Sequence, residues 1–230
     1  MGLTYKQIIE MAIENVAEAM CVYNGNEDMI NKPFIQYQET AWEFLKRVAS
    51  EKGNYVYEVA EYKRPYVMIN ARNNVIDLGN AVIEKRSGID GSFFELGGIM
   101  AGYRRMDFLY FFVTCNKNIS IGQSVMYKGS RMIIYEKYMY FEKGEICFCY
   151  MIGAKGLEKA KIQKNRKIVG ASLRGTVLDV NTKVKIHLDI DKEQDKDTAY
   201  EYEWSPLSGN LMYCMPEVGT RVSLYFLSAD

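Results

Sequence analysis

Residues 131–152 have the sequence RMIIYEKYMYFEKGEICFCYMI, which is the longest β-like run of the chain. Aromatic and β-branched residues are arranged on both sides of Glu142-Lys143-Gly144 in a way that is typical of two strands joined by a tight turn. Gly144 suits a turn position that requires a positive φ angle. The stretch therefore predicts a β-hairpin.

The segments on either side extend this β-rich region. The runs YRRMDFLYFFVTC (103–115) and QSVMYKG (123–129) carry the same residue types and predict further strands. YVYEVA (55–60) and YVMIN (66–70) predict a second hairpin. Residues 71–100 show weak periodicity and are expected to form loops and short strands.

The N-terminal part predicts a helix, a strand and a second helix. An apolar stripe with helical spacing follows Thr4 and predicts a helix over residues 4–20. FIQYQ (34–38) alternates as a strand does. Thr40 followed by Glu43 forms a capping box, in which the hydroxyl and the carboxylate satisfy backbone N–H groups at the start of a helix.

The C-terminal part predicts an all-β module. About five short strands in residues 168–230 are typical of a small Greek-key barrel such as an OB-fold. Residues 154–167 are polar and basic without an apolar stripe, and are predicted to be a solvated linker. Together with the helices before residue 62 and the β-rich region over 63–153, the fold is predicted as α+β, mostly β.

The stretch VKIHLDIDKEQDKDTAYEYEWSP (184–206) raises the question of a catalytic or metal site, because it combines His187 with a run of acids. In a strand, Val184, Ile186, Leu188 and Ile190 would face one side, and His187 would lie on the other, solvated face. The chain has one histidine, so a site built on several histidines is excluded.

The acids of this stretch are Asp189, Asp191, Glu193, Asp195 and Asp197. They do not fit a calcium loop, because Gln194 replaces the glycine that shapes such a loop and Tyr200 replaces the glutamate that closes the coordination. An exposed turn is the preferred interpretation, with weak cation binding as the alternative.

No other catalytic or metal motif is present in the sequence. The five cysteines lack the spacing of a metal site, and Cys147 and Cys149 are expected to be small buried hydrophobic residues on one face of a strand. Phosphate-binding loops and nucleophile elbows are absent. No catalytic, cofactor-binding or metal residues are therefore predicted, no cofactor is expected, and the protein is predicted not to be an enzyme.

Composition narrows the class of protein further. Lysine and arginine number 29, as do aspartate and glutamate, so the chain lacks the basic excess of a sequence-independent nucleic-acid binder. No apolar run reaches the roughly 18–20 residues of a membrane-spanning helix, and no secretion signal is recognised at the N-terminus. We expect a protein that is cytoplasmic or released without a signal peptide.

Two segments carry a resemblance to a known family. FIQYQETAWEFLKRVASEKGNYVYEV (34–59) resembles the signature QYxETDWEFLxRLA of VgrG-like and phage late-control-D-like hub proteins. Residues 175–226 resemble the spike-base module of this family, including KVKIHLDIDKEQD and MYCMPEVGTRVSLYF. The run between them, residues 122–146, resembles the family's barrel strands.

The resemblance implies a part of a contractile injection apparatus, such as a phage tail, a tailocin or a type VI-like machine. Such hubs are trimeric rings that join the tail tube to a spike and carry a tip or effector, without catalytic residues. It implies a hub domain whose helix-strand-helix part is 1–62 and whose barrel region is 63–153, followed by the linker and the OB-fold spike base over 168–230. It also implies a particle component that is cytoplasmic until assembly, without stable membrane insertion.

The sequence departs from the family pattern in two respects. Ala41 replaces the usual aspartate before Trp42, and the aromatic run after Tyr202 is shifted. Family hubs usually also contain a further barrel half and a needle, which these 230 residues do not. The alternatives that follow are a shortened hub, an expressed fragment of a longer hub, and a split gene whose partner supplies the rest.

Contacts between copies are predicted to involve the aromatic-rich strands around Phe108–Phe112 and Tyr135–Phe141. The alternative function is an OB-fold module that binds single-stranded nucleic acid or carbohydrate. Its stacking residues would be Tyr200, Tyr202, Trp204 and Tyr213. A third alternative, a hydrolase, has no recognisable site.

Overall fold

The computed structural model describes residues 2–79, 82–158, 162–206 and 214–229. Within them, strands outnumber helices, which confirms the prediction of an α+β, mostly β fold. The α-helices are α1 (Tyr5–Ile13), α2 (Ala41–Ser50) and α3 (Ser92–Glu95). The strands are β1 (Met20–Tyr23), β2 (Val56–Glu58), β3 (Tyr66–Ile69), β4 (Val75–Asp77), β5 (Ile83–Ile89), β6 (Leu109–Cys115), β7 (Ser124–Tyr127), β8 (Ser130–Glu142), β9 (Glu145–Gly153), β10 (Ser172–Val180), β11 (Val184–Leu188), β12 (Glu201–Tyr202) and β13 (Arg221–Tyr225).

The chain forms two compact units, and it passes between them several times. The small unit contains Met1–Tyr5, Asp28–Thr40 and Lys164–Asp230. The large unit contains Lys6–Glu27 and Ala41–Gln163. No helix in the described part of the chain has the length and apolar character needed to cross a bilayer.

A six-stranded sheet with the order β4-β7-β8-β9-β6-β5 dominates the large unit. Its pairs are antiparallel except β4 with β7. One face buries a cluster that includes Val113, Val125, Ile134, Tyr150 and Ile152. Apolar side chains alternate along the strands, so burying one face of the sheet removes their surface from water and stabilises the unit.

A second, three-stranded sheet of the large unit has the order β1-β3-β2. Its β2–β3 pair is the predicted second hairpin. Tyr57, Val59 and Met68 are buried here together with Ile133 from β8. Ile133 points to the side opposite Ile134, so the two clusters lie on the two faces of the large sheet at this point.

The small unit contains a four-stranded antiparallel sheet with the order β12-β11-β10-β13. Val177, Val184, Ile186 and Leu188 form its core, against which Ile35 packs from the N-terminal part of the chain. A fifth strand was predicted at LMYCMPE (211–217), and residues 211–213 of that run lie outside the described residues. Closure into an OB-fold barrel stays a prediction.

Two local predictions of turns and helix ends are confirmed. Lys143 and Gly144 both have positive φ angles, 51° and 89°, which is the geometry of a type I′ hairpin turn. Helix α2 begins directly after Thr40, and Gly53 beyond its end has a φ of 66°.

The first helix is shorter than the predicted 4–20, because α1 ends at Ile13. The backbone N–H of Met20 donates to the carbonyl of Pro65 at 2.9 Å, and β1 then pairs in parallel with β3. Pairing with a distant strand satisfies backbone groups that a longer helix would have used.

The predicted strand at 34–38 is not a strand in the structure. Side chains satisfy two of its carbonyl groups instead. The Asn165 amide donates to the Tyr37 carbonyl at 2.7 Å, and the Lys167 ammonium donates to the Gln38 carbonyl at 2.8 Å. Asn165, which lies in the predicted linker, is accordingly buried.

Candidate functional site

The hairpin formed by β8 and β9 presents large apolar side chains to solvent at its turn. We call residues 138–149 the hairpin tip. Tyr138, Met139, Phe141 and Ile146 are 52%, 67%, 73% and 54% exposed. Exposed apolar side chains that lie together are typical of protein interfaces, whereas single ones are common on any surface.

The first face of the hairpin tip continues the buried face of the six-stranded sheet. Met139 lies opposite Phe148, and Phe141 lies opposite Ile146. Directly opposed residues of an antiparallel pair point to the same side, so these four side chains form one stripe. Exposure along the stripe rises from 8% at Phe148 to 73% at Phe141. The apolar face therefore extends beyond the core that covers it.

The second face of the hairpin tip is mixed, with tyrosines and cysteines next to β6 and the opposed pair Glu142 and Glu145 next to the turn. Tyr138 lies opposite Cys149, and its ring centroid is 6.5 Å from that of Phe112 on β6. The guanidinium of Arg86 stacks on Phe112 at 4.0 Å from the ring centroid. A solvated antiparallel hairpin usually has one polar face. The exposed apolar stripe of the first face is therefore the part of the hairpin tip that has the character of a surface that becomes covered.

The predicted contact strands are only partly available for contacts. Phe108 is completely buried, because it lies in a short 3-10 helix and packs against Phe93 and Tyr103. The prediction of Phe108 as a contact residue is therefore wrong. Phe112 and the Tyr135–Phe141 segment do reach the surface, although Tyr135 is half-buried.

Cys147 and Cys149 share one face, as predicted from their spacing. They are half-buried rather than buried, because the opposite face of β9, with Phe148 and Tyr150, points into the core. The thiols therefore belong to the second face of the hairpin tip.

His187 and the acids around it form contacts within the small unit. His187 Nε2 lies 3.0 Å from the carbonyl oxygen of Asp191. The Arg221 guanidinium binds both carboxylate oxygens of Asp189 and also donates to the Thr176 hydroxyl. This ion pair holds the pKa of Asp189 below its usual range, since it favours the charged form.

The remaining acids of the run lie in an exposed turn. Asp195 accepts the backbone N–H of Asp197 at 2.9 Å, and Lys196 forms an ion pair with Asp179 at 3.1 Å. Across the described residues, no three histidine, cysteine, aspartate or glutamate side chains converge as metal ligands would.

Ile190 departs from the predicted face. Val184, Ile186 and Leu188 are buried on one side of β11, whereas Ile190 is 57% exposed. The reason is that β11 ends at Leu188, after which the chain turns.

Two of the aromatic residues that were proposed to stack on bases pack against the core of the small unit instead. Tyr202 and Trp204 pack against the core of the small unit, and burial raises the pKa of Tyr202 to about 12. The Trp204 indole N–H donates to the Cys214 carbonyl at 2.9 Å. Tyr213 lies outside the described residues. Tyr202 and Trp204 are half-buried, which reduces the ring area available to a base, so this arrangement does not favour the nucleic-acid alternative.

A cleft of about 400 Å³ opens in the large unit. Tyr55 and Tyr135 form part of its wall, with ring centroids 6.0 Å apart and ring planes at 86°. Leu96, Met151 and Leu157 add apolar surface. This volume lies at the lower end of the range found for ligand sites.

Three carboxylates line the same cleft, namely Asp90, Glu95 and Glu136. No lysine or arginine lies among the described residues that line it. Burial raises the pKa of Tyr55, and the negative charges of Glu136 and Asp90 raise it further. These two carboxylates therefore act on the same tyrosine.

No protein-family model matches the chain, and no curated protein matches it by sequence. Its fold is similar to the solved structure of the E. coli c3393 protein, with a TM-score of 0.58 and 12% identity over 100% of this chain and 69% of that one. That protein is described as a component of the type VI secretion system with structural similarity to the T4 bacteriophage tail proteins gp27 and gp5.

Two further solved structures give lower scores. The 43 kDa tail protein of prophage MuSo2 from Shewanella oneidensis has a TM-score of 0.48 and 14% identity over 70% of this chain and 66% of that one. A tail protein from Neisseria meningitidis MC58 has a TM-score of 0.44 and 10% identity over 69% of this chain and 70% of that one.

Proposed function

We propose that this protein is a non-enzymatic structural component of a contractile injection apparatus: a phage tail, a tailocin or a type VI-like machine. The observation that carries the proposal is the likeness of the fold to the c3393 protein over the full chain. The segments 34–59 and 175–226, which resemble hub and spike-base signatures, support it independently from sequence.

Under this proposal, the chain joins the tail tube to the spike. The hub domain comprises a helix-strand-helix part over residues 1–62 and a barrel region over residues 63–153. Residues 154–167 link this domain to the spike base, which is an OB-fold over residues 168–230. The partners are tail tube and baseplate proteins together with a spike tip or effector. The protein stays in the cytoplasm until it is assembled into the virion or injection particle.

The hairpin tip supports assembly into a homo-oligomer, which we propose to be a trimer. Its first face is an apolar stripe, on which Met139 and Phe141 are largely exposed. Burying such side chains between identical copies would remove them from water, and closed symmetry is the usual form of such assemblies.

Light scattering of the full chain across a concentration series tests the trimer. We expect a mass of three times the chain mass of 26.5 kDa. Phe141→Glu places a charge in the proposed interface and is expected to shift the mass to one chain. The single chain is expected to stay folded, because Phe141 is an exposed side chain. Ile190→Glu, at an exposed apolar residue of the small unit, is the matched control.

One outcome would contradict the trimer, and another would contradict the part of the hairpin tip in it. One is a mass of 26.5 kDa at every concentration for the unmodified chain. The other is equal dissociation by Phe141→Glu and Ile190→Glu, which would show that the hairpin tip has no special part in assembly.

A further inference from the structure

The cleft of the large unit combines an acidic and an aromatic lining. Asp90, Glu95 and Glu136 share it with two tyrosines whose rings stand perpendicular to each other. Carboxylates gathered at one concave site focus a negative potential there, which attracts a positively charged occupant.

We propose that this cleft binds the side chain of an arginine presented by a segment of a protein partner. The inference goes beyond the proposed function and does not depend on it, because the cleft lies within the large unit of a single chain.

The tyrosine rings favour an organic cation. A cation placed over the face of Tyr55 or Tyr135 is attracted by the negative face of the ring. A guanidinium group suits such a site because it is planar and weakly hydrated, and it stacks on rings more readily than an ammonium group.

The apolar part of the lining fits the alkyl part of the same side chain. Leu96, Met151 and Leu157 offer a surface on which three methylene groups could pack, as they do for partly buried arginines elsewhere. The guanidinium would then reach the carboxylates, with which it forms charge-assisted hydrogen bonds.

A metal ion does not fit the arrangement. Calcium and magnesium need several oxygen ligands at about 2.0–2.6 Å from one point. The described carboxylates of this cleft do not converge in that way. They are spread around a cleft of about 400 Å³, which suits a larger cation.

The carboxylates retain capacity for such a ligand. One oxygen of Asp90 accepts the N–H and the hydroxyl of Ser92, and one oxygen of Glu136 accepts the Tyr138 hydroxyl at 2.6 Å. An ionised carboxylate has about four acceptor positions on its two oxygens. These internal hydrogen bonds therefore orient the carboxylates and leave acceptor positions available for a ligand.

The test uses the full chain with ¹³C-labelled methionine methyl groups and N-acetyl-argininamide as the probe. Met151 lines the cleft, and its methyl signal is identified by its loss in Met151→Leu. We expect a saturable shift of this signal, with a dissociation constant on the order of 1 mM for so small a probe. N-acetyl-citrullinamide, which has nearly the same shape without the charge, is expected to cause no saturable shift.

Two variants and their controls locate the site. Glu136→Gln removes one charge of the cleft and is expected to weaken probe binding about threefold to tenfold. Glu145→Gln, at the exposed hairpin turn, should leave it unchanged. Tyr55→Leu removes a ring and should weaken binding similarly, whereas Tyr62→Leu, at another half-exposed tyrosine that stacks on a neighbour, should not.

Three results would overturn the inference: no saturable shift of Met151 with the arginine probe, an equal shift with the citrulline probe, or equal weakening by the control variants. The dispersed methionine spectrum of each variant shows whether it is folded, so a loss of binding by unfolding is recognised as such.

Discussion

At the scale of single residues, Tyr150 has two roles in the large unit: its ring is buried in the core, and its hydroxyl forms hydrogen bonds with backbone groups. Its ring is completely buried in the core of the six-stranded sheet. Its hydroxyl donates to the Lys117 carbonyl at 2.7 Å and accepts the Ile119 N–H at 2.9 Å. One side chain thus pairs two backbone groups of the loop between β6 and β7, which would otherwise lie near the core without partners.

Replacing Tyr150 by phenylalanine keeps the ring and removes both hydrogen bonds. We expect the free energy of unfolding to fall by about 1–3 kcal/mol, because two buried backbone groups lose their partner. Urea denaturation measures the change. Tyr138→Phe, whose hydroxyl bonds to Glu136 at an exposed position, should change stability by less than about 0.5 kcal/mol and is the control. Equal effects of the two variants would contradict this role of Tyr150.

The same tyrosine predicts a dependence of stability on alkaline pH. Burial raises the pKa of Tyr150 to about 12, whereas an unfolded tyrosine titrates near 10, at about its reference value. The folded state thus favours the protonated phenol, and the resulting stability is complete below pH 10 and is lost as the pH rises to 12. In Tyr150→Phe the decline of unfolding free energy over this interval should be smaller. An unchanged decline would show that Tyr150 does not contribute to it.

Gly175 is required by close packing between strands of the small unit. A Cβ atom there would lie 2.5 Å from the His187 carbonyl oxygen and 2.6 Å from a methyl group of Ile186. We expect Gly175→Ala to lower the free energy of unfolding by about 1–3 kcal/mol, as overpacking does elsewhere. Gly91→Ala is the control, because Gly91 has a φ of −61° and open space around its Cβ position. It should be neutral or stabilise by up to about 1 kcal/mol.

At the scale of elements, the hairpin of β8 and β9 is unusual in length and surface. β8 has 13 residues and β9 has 9, against a typical strand length of about 5–6. The added length extends past the buried core and places the hairpin tip in solvent. A bulge between Ile134 and Glu136 shifts the register of the pair. Such bulges increase the local twist of a strand, and on β8 this one lies between the buried Ile134 and the exposed Tyr138.

The stability of this hairpin turn can be changed without altering the exposed apolar stripe of Met139, Phe141 and Ile146. Lys143→Asn is expected to stabilise the hairpin by about 0.5 kcal/mol, because asparagine tolerates the positive φ angle better than lysine does. Gly144→Ala should destabilise it by about 1 kcal/mol for the opposite reason. Amide hydrogen exchange of β8 and β9 measures both changes. Shifts of the same sign in the two variants would contradict the assigned turn geometry.

At the scale of the whole molecule, the small unit is assembled from three separate parts of the chain. Ile35 packs against the core of its four-stranded sheet, and Asn165 binds the Tyr37 carbonyl. The module that sequence patterns predict over 168–230 therefore receives part of its packing from residues 28–40. Its stability should depend on a segment that lies more than 120 positions earlier in the chain.

This dependence predicts the behaviour of fragments. Residues 168–230 alone should show poor dispersion of amide signals in NMR spectra, because the core of the four-stranded sheet would lose the apolar cover of Ile35. The fragment 164–230 with residues 28–40 joined to it by a flexible linker should recover the dispersion seen in the full chain. Native-like spectra of the shorter fragment would show that residues 28–40 are not needed.

Local features of this protein were predictable from sequence. The turn at Lys143-Gly144, the start of α2 after Thr40 and the buried face of Val184, Ile186 and Leu188 all agree with the structure. Turn preference, capping and alternation depend on residues within a few positions of one another, so their patterns are visible in a linear sequence. The resemblance of residues 34–59 and 175–226 to hub and spike-base signatures, on which the sequence-based expectation rests, also depends on such contiguous segments.

Other features were decided only by tertiary structure. Local patterns did not reveal that Met20 begins a strand, that Phe108 is interior or that 34–38 is held by side chains instead of a sheet. The acidic, aromatic cleft draws its lining from positions between Tyr55 and Gln163 and was missed for the same reason. The sequence by itself determined which short segments could become helices, strands and turns. Which distant surfaces they bury against one another was decided by the packing of the whole chain, because that choice depends on contacts between residues far apart in sequence.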